Sequence, residues 1–147
     1  MRAVTGRKLY ATWNAWSVAQ GNRPNMGKIL IADDDELMLE LLQFKLEARD
    51  HSVLTAVDGE MALKLAVAAR PDLIVLDAMM PIMDGFVVLQ QLKAAPETTE
   101  IPVVMLTARK QESDVVSGLQ LGAREYLVKP FMPEELLTRI ENILQAA

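Results

Sequence analysis

The chain has 147 residues, 51% of them hydrophobic and 24% charged, with seven glycines and seven prolines, which fits one globular domain and excludes a disordered or collagen-like chain. It has no cysteine and a single histidine, His51, so disulfide scaffolds, thiol catalysis, zinc fingers and iron–sulfur clusters are excluded. The net charge of −5 argues against direct binding of nucleic acid, and the longest apolar stretch, Leu73 to Met83, is broken by Asp77 and Pro81, so no membrane span is expected and the cytoplasm is the default location.

Residues 1–27 stand apart as an N-terminal extension to a domain over 28–147. They carry Arg2, Arg7, Lys8 and Arg23 with no acid, so the body of the chain is more acidic than the whole. Leu9, Trp13 and Trp16 are spaced for one ridge of a short amphipathic helix, whereas a variable or non-native leader before Met26 accounts for the same residues. Thr12, Asn14 and Ser17 interrupt what would be the apolar core of a secretory signal.

From Lys28 onward, short apolar runs alternate with amphipathic stretches, the pattern of βα units around a parallel sheet. Strands are predicted over Lys28–Ala32, Ser52–Val57, Asp72–Leu76, Ile101–Leu106 and Glu125–Val128, the third and fourth being continuous apolar runs suited to a sheet covered on both faces. Helical spacing joins Leu37, Leu41, Phe44 and Ala48, then Met61, Leu65 and Ala68, then Val88 or Leu89 with Leu92, Val115 with Leu119, and Leu136, Ile140 and Ile143, each set predicting a buried face. Asp58-Gly59 and Asp84-Gly85 mark helix starts or turns, Gly122 a helix end, and Pro133 a first turn. The methionines are expected to be mostly core filler, and His51 to lie in an exposed turn.

In an open parallel sheet, ligands bind beyond the carboxyl ends of the strands. Those positions hold Asp33, Asp34 and Asp35 after the first strand, Asp77 after the third, Thr107 after the fourth and Lys129 after the fifth. Asp35 and Glu36 read as helix-capping residues. Taken singly, Thr107 is a turn residue and Lys129 a solvated surface lysine; only their convergence with the acids suggests chemistry. Clustered carboxylates repel unless a cation or proton offsets them, and an all-oxygen set suits Mg²⁺ or Mn²⁺. In such a site Asp77 has the character of a nucleophile towards phosphorus, the metal and Lys129 neutralise charge, and Thr107 donates a hydrogen bond.

The segments ILIADDDEL, LIVLDAMMPIMDG, VVMLTA and EYLVKPF resemble the receiver domain of two-component response regulators, of the stand-alone chemotaxis-regulator type, from about Lys28 to the C-terminus. The resemblance implies a flavodoxin-like doubly wound (βα)5 fold, α/β, with a parallel five-stranded sheet in the order 2-1-3-4-5 and five helices. It implies that Asp77 is the phosphoacceptor, served by a histidine kinase or phosphotransfer protein. Asp33, Asp34, Asp77 and the backbone carbonyl of Met79 would hold Mg²⁺. Thr107, Ala108 and Lys129 would contact the phosphoryl group, Thr107 and Tyr126 would form a switch pair, and Lys129-Pro130 matches the position of a cis peptide. Met79, Ala108 and Arg109 would tune access of water to the phosphate.

No output domain is recognisable after the last helix, so output is expected through a separate output protein or from a region absent from this sequence. Arg124 stands where many transcriptional members carry an acid, which weakens the expected contacts between copies, although Glu125 and Arg139 remain available for them; the expectation is a monomer or a weak phosphorylation-dependent dimer. Catalysis is limited to the domain's own phosphorylation and dephosphorylation. Two other classes compete. A metal-dependent phosphohydrolase would need a further acid–base carboxylate, where Ala78 and Met79 stand, and a phosphorylation-independent interaction module would not need the intact acid, Thr and Lys set.

Overall fold

The computed structural model describes residues 26–108 and 120–146. The basic N-terminal segment, Arg109, and the helix predicted around Val115 and Leu119 lie outside the described residues. Five strands, β1 (Lys28–Ala32), β2 (Ser52–Ala56), β3 (Leu73–Asp77), β4 (Val103–Thr107) and β5 (Glu125–Val128), alternate with helices α1 (Glu36–Glu47), α2 (Gly59–Ala69), α3 (Gly85–Ala94) and α4 (Pro133–Ala146). The sheet is parallel throughout, in the order β2-β1-β3-β4-β5, as the resemblance implies. Among the described residues no helix is long and apolar enough to cross a membrane.

Alternation along the strands divides the core in two. Ile29, Ile31, Leu73, Val75, Val104 and Leu106 pack against α1 and α4. Leu30, Ala32, Ile74, Leu76, Val103 and Met105 face the other way, onto α2 and α3. The central strands β3 and β4 are buried along their whole length, which is why they read as unbroken apolar runs. Three aspartates start helices: Asp35 accepts from the amides of Leu37 and Met38, Asp58 from Met61 and Asp84 from Val87. Gly122 has φ 109°, the left-handed conformation expected at a helix end.

Several expectations are corrected. Strands β3 and β4 run one residue further than the periodicity suggested, because Asp77 pairs in register with Leu106 and Thr107 with Val128; both residues therefore end their strands instead of following them. In α1 the buried side chains are Leu39, Leu42 and Leu46, whereas Leu37 is 77% and Phe44 73% exposed. In α2 the buried set is Gly59, Ala62 and Ala66, while Met61 and Ala68 are exposed. The sets on α3 and α4 are buried as predicted.

His51 is wholly buried, not in an exposed turn. Its Nδ1 accepts from the Gly27 amide at 3.2 Å, so the proton resides on Nε2, which faces Glu141 Oε2 at 3.2 Å. Glu141 also accepts from Arg49 at 2.9 Å, and Glu134 accepts from Arg49 and Lys45, so a charged strap joins the end of α1 to α4.

The corrected face of α1 gives a direct test. Leu42→Ala should cost roughly 2–5 kcal/mol of unfolding free energy in urea melts, the range for a deleted core leucine. Leu37→Ala should stay within about 0.5 kcal/mol of the parent, as an exposed substitution does.

Candidate functional site

The residues singled out from the sequence converge at the carboxyl edge of the sheet. Ala32 and Leu76 are register partners, so Asp33 and Asp77 extend side by side from neighbouring strands. Carboxylate oxygens of Asp33, Asp34 and Asp77 lie within 4.8 Å of one another, with Asp33 wholly buried, Asp77 nearly so and Asp34 exposed. Lys129 reaches in from the far side of the sheet: its Nζ donates to Asp33 Oδ2 at 2.9 Å and lies 3.5 Å from Asp77 Oδ1. The Lys129-Pro130 peptide is cis, as expected. Asp33 Oδ1 accepts the Asp35 amide at 2.9 Å, and the Met79 amide approaches Asp77 Oδ1 at 3.4 Å.

Burial pushes the Asp77 carboxyl up to about 6, and the neighbouring Asp33 pushes it the same way; Lys129 and the Met79 amide oppose the rise without cancelling it. Burial alone would lower the Lys129 ammonium, but its bonds to Asp33 and Asp77 outweigh that and hold it above the ordinary lysine value. The site is therefore short of positive charge. Its hard oxygen donors suit a small divalent cation of the Mg²⁺ type.

Thr107 is buried at the end of β4, and Ala108 beside it is exposed. Tyr126 lies on β5 opposite Met105, half-buried on the α2 and α3 side of the sheet. Its hydroxyl is enclosed and has no hydrogen-bond partner among the described residues. Glu125 and Arg139, offered by the sequence for contacts between copies, bond each other within the chain at 2.5 Å.

The loop after β3 was read only in part. Ala78, Met79, Met80, Pro81, Asp84 and Phe86, with Asp34, line a cavity of about 510 Å³ that opens beside the acids. Within this loop the Met83 amide donates to the Pro81 carbonyl at 2.7 Å across Ile82, which has φ 71°, a γ-turn unusual for a β-branched residue. A glycine makes the arrangement possible. A Cβ on Gly85 would stand 2.2 Å from the Asp77 carbonyl oxygen, so the start of α3 abuts the backbone of Asp77 directly.

Residues 29–141 match the response regulator receiver domain family. The chain belongs to that family. The Bacillus subtilis alkaline phosphatase synthesis transcriptional regulatory protein PhoP is 48% identical over 118 residues, covering 80% of this chain and 48% of that protein. The DNA-binding dual master transcriptional regulator RpaA of Synechocystis is 46% identical over 120 residues, covering 82% of this chain and 50% of that one. This chain thus spans about half the length of the curated relatives it matches.

Among solved structures, the receiver domain of a Francisella response regulator superposes with a TM-score of 0.76 at 36% identity over 82% of this chain and 97% of that one. The receiver domain of a Pseudomonas aeruginosa sensor histidine kinase, which holds a magnesium ion in its active-site cleft, gives a TM-score of 0.73 at 28% identity over 82% of this chain and 98% of that one. Receiver domains are phosphoacceptor signalling modules and not conventional enzymes.

Two measurements follow. A carboxyl held above its ordinary value binds its proton more tightly in the folded state, so the contribution of Asp77 to folding stability falls as pH rises from about 4 to about 6 and is level above that window. In EDTA, the stability of Asp77→Asn should gain on the parent across that window and then keep a constant lead. Gly85→Ala should destabilise by roughly 1–3 kcal/mol in urea melts, since the added methyl must displace backbone.

Proposed function

We propose that this domain accepts a phosphoryl group on Asp77 and changes its binding surface in response. The single observation that carries this reading is the meeting of the Asp33, Asp34 and Asp77 carboxylates with the Lys129 ammonium at the ends of β1, β3 and β5, the Asp77 carboxyl being held above its ordinary value by burial and by Asp33. Asp33, Asp34 and Asp77, with the Met79 carbonyl, would hold Mg²⁺. When bound, the cation supplies charge neutralisation for the phosphoryl oxygens.

The chain's own groups then have distinct tasks. Asp77 is the nucleophile: its carboxylate oxygen forms the bond to phosphorus as the donor's leaving group departs. Lys129 offers an ammonium that exchanges part of its contact with Asp33 for the new phosphoryl oxygens. Thr107 and the Ala108 amide supply hydrogen-bond donors on the β4 side. Withdrawal of Thr107 towards the phosphoryl group opens room for the Tyr126 ring, whose hydroxyl has no partner to lose among the described residues. Phosphorylation adds about −1.5 to −2 charges, and that charge biases the two arrangements.

The donor is a histidine kinase or phosphotransfer protein. The exposed stripe of Leu37, Leu41 and Phe44 supports this, because it runs along α1 from the turn that carries Asp34 and gives an apolar face beside the acids. Output is exerted by whatever reads the β4–β5 edge: a separate protein, or a further part of a regulator as in the longer relatives.

Intact mass after incubation with acetyl phosphate and Mg²⁺ tests the reading. One phosphoryl adduct, labile to hydroxylamine and absent from Asp77→Asn and from EDTA-treated protein, is expected. Absence of the adduct where Mg²⁺ binding is demonstrated favours a phosphorylation-independent interaction module, and phosphate release over many turnovers favours a hydrolase.

A further inference from the structure

Met80 and Met105 are buried in the core and Met38 and Met83 pack against it, as core filler does, whereas Met61, Met79 and Met132 are exposed. Met105 within β4 and Met80 are buried, at 0% and 8% exposure, but Met38, Met61, Met79, Met83 and Met132 all lie on the first turns or loops that follow the carboxyl ends of strands. The two most exposed of these, Met132 at 70% and Met79 at 55%, belong to the loops after β5 and β3, which also carry Lys129 and flank Asp77. Met79 lines the cavity beside Asp34, and Met132 follows Lys129 by three positions in the loop after β5. Since the chain has no cysteine, methionine is its entire sulfur chemistry.

We propose that Met79 and Met132 form an oxidation site at which peroxide slows phosphoryl entry, an inference that rests on the phosphoacceptor reading of Asp77. In the modification, the thioether sulfur gives an electron pair to a peroxide oxygen; the S–O bond forms, the O–O bond breaks, and water leaves with the remaining oxygen. The sulfur is oxidised by two electrons and the peroxide reduced by two. A dithiol reductant reverses the step, returning thioether, disulfide and water.

The consequence follows from polarity and charge. A sulfoxide turns an apolar wall polar and presents an oxygen with partial negative charge. On Met79 that oxygen joins a cavity already lined by Asp34 and Asp84. Phosphoryl donors are anions, and their approach to Asp77 already crosses the field of Asp33 and Asp34; added negative potential at the rim lowers the rate of that approach. Met105, wholly buried within β4, is shielded from the oxidant and serves as the internal control, because oxidative susceptibility follows exposure.

The test uses the full chain, graded hydrogen peroxide, peptide mapping of each methionine, and the initial rate of phosphorylation by phosphoramidate with Mg²⁺. Each protein is compared with its own untreated sample. The expected result is a rate loss of about threefold to tenfold that tracks conversion of Met79 and Met132, precedes oxidation of Met105, and is recovered with methionine sulfoxide reductase and dithiothreitol. The variant Met79→Leu/Met132→Leu, which keeps apolar bulk without the sulfur, should retain its own untreated rate at the same dose. Full sulfoxide at both positions with an unchanged rate overturns the proposal, as does an equal loss in the double variant. An untreated chain that takes no phosphoryl group overturns the phosphoacceptor reading itself, and this inference with it.

Discussion

Everything at the carboxyl edge depends on holding three carboxylates within a few ångströms of one another against their mutual repulsion. No local segment does this. Asp33 and Asp77 are forced together because β1 and β3 are paired in register and their strand bodies are buried on both faces, so the ladder cannot slip to part the charges. The folded core supplies the work that the acids oppose, and the Asp77 carboxyl is raised first by its burial in that core and then by its neighbour Asp33. Lys129 offsets part of the repulsion from the opposite side, which makes its own charge inseparable from the cluster it neutralises.

The same constraint explains why small residues border the site. Gly85 lets the start of α3 lie against the Asp77 carbonyl, and Gly59 lets α2 begin against the Met83 carbonyl, which a Cβ would meet at 1.9 Å. The loop between these contacts is fixed at both ends and bends at Ile82. Rigid backbone around a reactive side chain limits the reorganisation needed when charge is added.

Much of this was legible beforehand, for physical reasons that differ between elements. Strands β3 and β4 announced themselves because a strand covered on both faces must be apolar at every position. Asp35, Asp58 and Asp84 could be placed as helix starts, since capping depends on residues within one turn. Asp33, Asp34, Asp77 and Lys129 could be expected to meet because the sheet topology collects strand ends, and the resemblance gave each an expected role. The buried face of α1 was misread because its sequence, ELMLELLQFKLE, holds more apolar side chains than one face can bury. Spacing fits both Leu37, Leu41 and Phe44 and the true set of Leu39, Leu42 and Leu46. His51 was beyond sequence reasoning altogether, since its partners, Gly27 and Glu141, lie 24 and 90 residues away along the chain.

The sheet order also separates the acidic cluster from the proposed switch residue Tyr126. β1 and β3, which lead to or carry Asp33 and Asp77, each have a hydrogen-bonded neighbour on both sides, whereas β5, which carries Tyr126, is a four-residue border strand bonded, among the described residues, to β4 alone. A sheet is stiffest in its middle and most compliant at its margin, where fewer bonds resist displacement. On the proposed reading, charge added at the unyielding centre would be felt most at the margin, where the least mechanical resistance would let it become movement that a neighbour can read.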